Sequence, residues 1–293
     1  MNKLLPRSII TLITFIVALS LLATTVTISH EIFAQTNLSS MQPSTNTSQD
    51  STGPPPSIQL PTTQQQVDAV ATSPPCPKTK ADRTPQQTEG PYFVDEMLNR
   101  SDIRSDPSDG SVQDGIPLRL IIHIHDIGRN GSCIPLKGAH VDIWHANSQG
   151  LYSDIQQAGT EGKKYLRGFQ VTDDNGTVQF TTIYPGWYQG RAVHIHIKVR
   201  TLEGPEKSFD WTSQLYFNDS ITDQVHTQAP YSLHGLPDTR NNQDGIYTGP
   251  SLDGLVQTNS GTRLTLDLNK DKQGSYLGIF DVLVDSGQQQ PAQ

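Results

Sequence analysis

From Leu118 to Val284 the chain is a succession of short alternating runs. They are LRLIIHIHDI (Leu118–Ile127), HVDIW (His140–Trp144), LRGFQVT (Leu166–Thr172), TVQFTTIY (Thr177–Tyr184), VHIHIKVRT (Val193–Thr201), SQLYF (Ser213–Phe217), RLTLDL (Arg263–Leu268) and YLGIFDVLV (Tyr276–Val284). Apolar side chains recur with a period of two, the period of a strand with one buried face. No amphipathic stretch of three helical turns interrupts them. Glycine (23) and proline (20) are plentiful enough to supply many loops, and Asp174-Asn175-Gly176 predicts a hairpin between the third and fourth runs. The pattern predicts an all-β fold, a two-sheet β-sandwich.

One run carries unusual chemistry. In YPGWYQGRAVHIHIKV (Tyr184–Val199), His194 and His196 alternate with Ile195, Ile197 and Val199. An extended strand sets both imidazoles on one face, roughly 6.6 Å apart along the chain, within reach of one metal ion. A strand-borne His-x-His is only a moderate metal signal, because a lone strand histidine is usually a hydrogen-bonded polar group. Phenols nearby sharpen it: Tyr188 just upstream, and Tyr152 in DIWHANSQGLYSD. Two neutral imidazoles and two phenolates form a hard, anionic donor set that suits Fe(III) better than Zn(II) or Cu(I).

Together with TEGPYFVD and SQLYF, these motifs resemble those of the intradiol ring-cleavage dioxygenases, from about Pro75 to Asp285 and in the same order. That family comprises non-haem Fe(III) enzymes acting on catechol, protocatechuate and hydroxyquinol. The resemblance implies a β-sandwich whose long loops form the metal site, with Tyr152, Tyr188, His194 and His196 as iron ligands. Tyr188 would leave the metal when substrate binds, and Arg191, in the Arg-x-x-His position, would stabilise negative charge on the ring. Gln214 would orient the substrate or an oxygen intermediate, and Tyr92 would line the pocket mouth. The implied reaction inserts both atoms of O2 between the two hydroxylated carbons of a catechol-type aromatic, giving a muconate-type diacid.

The chain departs from the better-known members in two places. The Ser/Thr/Gln-rich stretch stands where catechol and hydroxyquinol enzymes carry a helical dimerisation region. Only Gln189 and Gly190 separate Tyr188 from Arg191, where a longer insertion is usual. A pocket wall altered there points to larger or substituted catechols, and to an exported branch of the family.

Other features bound the reading. Residues 1–34 begin with Lys3 and Arg7 and continue into an apolar run from Ile9 to about Val26, the pattern of an export signal. The run is nearly long enough to span a bilayer, so an uncleaved membrane anchor is the rival reading. Residues 35–74 are rich in Ser, Thr, Gln and Pro and read as a disordered tether, leaving 75–288 as the catalytic domain. A net charge of −8 and the lack of a long basic run argue against nucleic acid. In an exported chain, Cys76 and Cys133 are expected to form a disulfide contributing roughly 4 kcal/mol by loop closure, the alternative being two unpaired thiols. Asn46, Asn99, Asn130, Asn175 and Asn218 each begin a glycosylation sequon. The second His-x-His, His123 and His125, lacks phenol and arginine companions and reads as strand structure, and His145, His226 and His234 carry no independent warrant. Two other functions compete: a non-catalytic surface sandwich binding a catechol or carbohydrate, and a copper or zinc site using the histidines alone.

Overall fold

The computed structural model describes residues 82–127, 132–203 and 206–287. The leader, the tether, Cys76, Asn46 and Asn130 lie outside them. Two sheets form the domain. One contains β1 (Pro117–Ile127), β2 (Cys133–Pro135), β5 (Thr177–Ile183), β8 (Asp267–Lys270) and β9 (Tyr276–Val284). The other runs β4 (Arg167–Val171), β3 (His140–Trp144), β6 (His194–Glu203), β7 (Glu206–Tyr216). In the first, β1 pairs with β9 in parallel and with β2 and β5 antiparallel, and all pairs in the second are antiparallel. Helix α1 (Asp219–His226) and the single turn α2 (Gly245–Thr248) follow β7.

The period-two pattern decides what lies between the sheets. Leu118, Leu120, Ile122 and Ile124 of β1 join Val141, Ile143, Ile195, Ile197 and Val199 of the other sheet in one buried apolar cluster. Each such side chain contributes roughly 1.5–3 kcal/mol when removed from water. The same alternation turns His194, His196 and Lys198 of β6 to the opposite face. That face is covered as well: His194 and His196 are 3% and 1% exposed. Its cover is the stretch from Thr84 to Phe93. Gln87 N–H donates to the Thr212 carbonyl at 3.0 Å, Phe93 packs on Trp144 with ring centroids 4.8 Å apart, and Lys198 pairs with Glu89. A polar strand face thereby becomes an interior.

Three expectations change. The turn at Asp174-Asn175-Gly176 forms, closed by Gly176 N–H on the Asp173 carbonyl at 3.0 Å and with Gly176 at φ 71°. It is not a hairpin turn, since β4 and β5 enter different sheets and it serves as a corner between them. The run at Arg263–Leu268 is not one strand: Ser260–Leu264 is a short 3-10 turn, and β8 begins only at Asp267. Strand β7 begins at Glu206, well before Ser213, because it pairs back along β6 through a polar stretch with little apolar signal. His123 and His125 lie on β1 as strand structure, but buried, and His123 Nδ1 is 2.8 Å from Asp281 Oδ1 on β9. Cys133 opens β2 and is disulfide-bonded.

Candidate metal centre

The centre begins at the first residue of β6. His194 Nδ1 is 2.6 Å from the carbonyl of Ala192. A carbonyl only accepts, so Nδ1 carries the proton and Nε2 presents a lone pair inward. Three atoms meet it there: His196 Nε2 at 3.1 Å, Tyr188 Oη at 3.3 Å and Tyr152 Oη at 3.5 Å. His196 is held from behind by Trp144, its cross-strand neighbour, with rings 4.8 Å apart and 4° from parallel.

Burial, reinforced by the Arg191 charge, pulls the His194 imidazole down to about 3, and burial with His194 beside it holds His196 well below the usual range. Both rings are therefore neutral donors. Burial also raises both phenols, Tyr152 well above its ordinary value, with Arg191 opposing the shift at Tyr188. A protein gains nothing by gathering buried lone pairs and phenols unless a cation offsets the crowding. The spacing fits one: ligands about 2.0–2.1 Å from a common ion in a tetrahedral arrangement stand about 3.3 Å from each other. Among the described residues no group of three or more His, Cys, Asp or Glu is arranged to hold a metal ion. The donor set here is two imidazoles and two phenols, the hard set that favours a trivalent ion.

The phenols come from two loops that interlock through glycines. Asn147 Oδ1 accepts from Gln149 N–H and Leu151 N–H, both at 3.0 Å, shaping the turn before Tyr152. Gly150 has φ 78°, and a Cβ there would lie 2.0 Å from the Trp187 carbonyl oxygen. Gly186 N–H donates to the Asn147 carbonyl at 3.1 Å, and a Cβ on Gly186 would lie 2.3 Å from that oxygen. The loop bearing Tyr152 and the loop bearing Tyr188 thus touch backbone to backbone. Thr160 Oγ1 donates to the Tyr152 carbonyl at 2.6 Å. Arg167, 2% exposed, donates to Ser153 Oγ (2.8 Å), the Ser153 carbonyl (2.7 Å) and the Tyr92 carbonyl (2.6 Å).

Arg191 stands over the other side. Its N–H reaches the Tyr188 carbonyl at 3.3 Å, closing the short Gln189-Gly190 interval. The guanidinium donates through Nη1 to Tyr188 Oη at 3.3 Å, through Nη2 to Gln214 Oε1 at 2.5 Å, and through Nε to Asp244 Oδ2 at 2.9 Å. Gln214 faces His196 across β6 and β7, and its Nε2 donates to the Thr88 carbonyl at 2.8 Å. It is thus an acceptor for Arg191 tied to the covering segment, rather than a free amide in the opening. Tyr216 Oη donates to Gln87 Oε1 at 2.9 Å, extending the network.

An opening of about 290 Å³ leads to the two phenols, lined by Tyr92, Gly150, Leu151, Tyr152, Ile155, Gln157, Ala158 and Tyr188. None of these side chains carries a charge at neutral pH, an apolar lining typical of small-molecule sites. Tyr92 lies where a mouth residue is expected, its ring 4.7 Å from that of Tyr152 and 6.0 Å from that of Tyr188. His145 is buried between the Ala146 carbonyl and Thr182, His226 packs on Tyr231, and His234 lies against Trp187 at the rim. None of the three joins the donor cluster. Sequence reasoning missed Asp244, Arg167 and Thr160. Asp244 reaches the site from 53 residues beyond Arg191, and Thr160 and Arg167 lie 8 and 14 residues from the groups they hold at Tyr152 and Ser153; none carries a motif, so only the tertiary arrangement reveals them.

The chain matches the Dioxygenase_C family model, described as dioxygenase, over residues 88–246, more than half of its 293 residues. Catechol 1,2-dioxygenase 1 of Acinetobacter lwoffii is 34% identical over 110 residues, 36% of this chain and 32% of that protein. Catechol 1,2-dioxygenase of Candida albicans is 31% identical over 148 residues, 48% of this chain and 45% of that protein. The matches span less than half the length of these curated relatives. Among solved structures, an intradiol ring-cleavage dioxygenase from Tetranychus urticae superposes with a TM-score of 0.58 at 28% identity, over 71% of this chain and 96% of that one.

Proposed function

The chain belongs to the intradiol ring-cleavage dioxygenase family, and from that premise we propose that it is an exported, non-haem Fe(III) enzyme of catechol-type aromatics. It inserts both atoms of O2 between the two hydroxylated carbons and releases a muconate-type diacid. The observation that carries this reading is the convergence of Tyr152, Tyr188 and His196 on His194 Nε2 within 3.5 Å, with Arg191 beside Tyr188. These four side chains would hold the ion. Bound Fe(III) supplies a Lewis acid and electron sink that makes a catechol diolate reactive toward dioxygen.

The chain's own groups do the rest. A catechol that binds as a diolate must lose two protons: the Tyr188 oxygen, which would be a phenolate only with the ion bound, is placed to accept one, and the other would pass to solvent at the opening. Arg191, whose charge cannot be lost at working pH, faces that same oxygen and offsets negative charge that builds up beside it. Tyr92 offers a flat face at the entrance, and the lining side chains of Leu151, Ile155, Gln157 and Ala158 are uncharged. Their lack of charge favours neutral ring substituents, such as alkyl groups, over a ring carboxylate. Export follows from the basic-then-apolar leader, and the tether would hold the domain away from the cell surface.

Oxygen uptake with product absorbance over catechol, 4-methylcatechol, hydroxyquinol and protocatechuate tests this. Stoichiometric O2 consumption with the neutral catechols, and at least about tenfold lower kcat/KM for protocatechuate, is the expected result. Activity on unsubstituted catechol alone would defeat the wider-pocket reading. Tight catechol binding without oxygen uptake would favour a binding module instead.

A further inference from the structure

Asp244 is the N-cap of α2, yet it does more than a cap requires. Its Oδ1 accepts from Ile246 N–H at 2.7 Å and Tyr247 N–H at 3.2 Å, which satisfies the helix start. Its Oδ2 is turned away from the helix and accepts from Arg191 Nε and from Ala192 N–H, both at 2.9 Å. The Asp244 side chain is fully buried and that of Arg191 is 16% exposed. We propose that Asp244 is the positioning residue that aims Arg191 at the reacting oxygen, an inference that rests on the dioxygenase reading above.

The geometry of a guanidinium makes the case. It is planar, with its donors in a fixed fork, so pinning Nε–H fixes the plane and the direction of both terminal nitrogens. With Nε held by Asp244, Nη1 points at Tyr188 Oη and Nη2 at Gln214 Oε1. If Tyr188 moves aside for substrate, the arginine loses one anchor but keeps Gln214, Tyr216 and Asp244, of which Asp244 is the charged one. Without that carboxylate, a largely buried cation would lack its closest counter-charge and would be drawn toward solvent. The same oxygen grips the backbone: Asp244 takes the N–H of Ala192, and the carbonyl of Ala192 takes the Nδ1–H of His194. One carboxylate therefore holds the arginine and the N–H of Ala192, the residue whose carbonyl orients His194. A role limited to capping α2 would leave Oδ2 with no reason to face the site.

The test compares wild type, Asp244→Asn, Arg191→Gln and the double variant, with 4-methylcatechol as substrate. Asn retains an oxygen that can cap α2 while removing the charge. The expected result is a fall in kcat of roughly 10- to 100-fold in Asp244→Asn, with KM changed far less and cooperative melting preserved. In the Arg191→Gln background the same substitution should add little, since residues acting as a unit are not additive. Equal losses in both backgrounds would overturn the proposal. A second readout needs neither metal nor turnover. In the metal-free protein, the slowly exchanging Arg191 Nε–H resonance, assigned by its absence from Arg191→Gln, should vanish in Asp244→Asn, and its persistence would also overturn the proposal. If Asp244→Asn does not fold, Asp244→Ser keeps a capping hydroxyl and takes its place in both arms. Wild type inert toward every catechol would defeat the dioxygenase reading alone, and the resonance would still decide the role of Asp244.

Discussion

At the residue scale, the candidate centre turns two neutral imidazoles toward each other and anchors the Arg191 cation from outside. Asp244 makes that outer anchor measurable in stability as well as in turnover. Burial acts to raise its carboxyl, but the Arg191 charge and the N–H groups of Ala192 and Ile246 prevail and hold it below the usual range. A carboxyl depressed in the folded state stabilises the fold above its unfolded value, near 3.9, and that contribution fades as pH falls through the lower folded value. Wild type should therefore lose melting temperature more steeply than Asp244→Asn below about pH 4, and the gap between them should narrow as the solution is acidified. Melts of the metal-free proteins between pH 3 and 6 check this; parallel curves would show that Asp244 is not depressed. The inner residues were legible in the sequence, because Tyr188, Arg191, His194 and His196 lie within nine residues of one another and local spacing fixes their faces. Asp244, 53 residues beyond Arg191, and Arg167, on a strand of another run, were not. Their contribution exists only once β4 and α2 have been folded against the loops.

At the scale of elements, the two phenol-bearing loops act as one piece because they meet at glycines. Gly150→Ala would force a Cβ to within 2.0 Å of the Trp187 carbonyl, which cannot yield without moving the loop of Tyr188. Gly138 has the same φ of 78°, and a methyl group on it would meet nothing within 4 Å. Gly138→Ala should therefore cost only the left-handed backbone penalty of about 1–2 kcal/mol. Gly150→Ala should cost more than that and also weaken iron retention at least tenfold, by displacing both tyrosines together. Equal melting and equal iron content in the two variants would mean that the loops adjust independently. Among elements, the strands His140–Trp144 and Tyr276–Val284 were legible to the residue. Their alternation is strong and their ends are marked by polar or glycine residues. The corner at Asp173–Thr177 was legible as a turn but not as a switch between sheets, since a turn fixes the direction of the chain and not the identity of the neighbouring strand. Leu264 and Leu266 alternate like a strand, yet Asn259 at φ 55° winds the chain into a 3-10 turn whose buried leucine serves the core equally well.

At the scale of the whole molecule, the sandwich does two different things with the two faces of β6. The inner face closes the apolar core. The outer face, which in an isolated antiparallel sheet would be wet, is roofed by residues 84–93 and the loops after β3 and β5, so that histidines and tyrosines are buried where a cation can be held without competition from bulk water. The fold class followed from periodicity alone. The roof did not, because a stretch such as TPQQTEGPYF has neither strand nor helix period and declares its role only through contacts with β7 and β6. On the proposed function, this roofed face binds Fe(III) through two tyrosinates and two histidines, and then a catechol. The most direct measurement is the visible absorption spectrum of the iron-loaded protein, before and after anaerobic addition of 4-methylcatechol. The expected result is an intense, broad tyrosinate-to-iron band that shifts when the catechol is added, and loses intensity in Tyr152→Phe. A protein that takes up iron yet stays colourless, or whose band does not respond to the catechol, would contradict it.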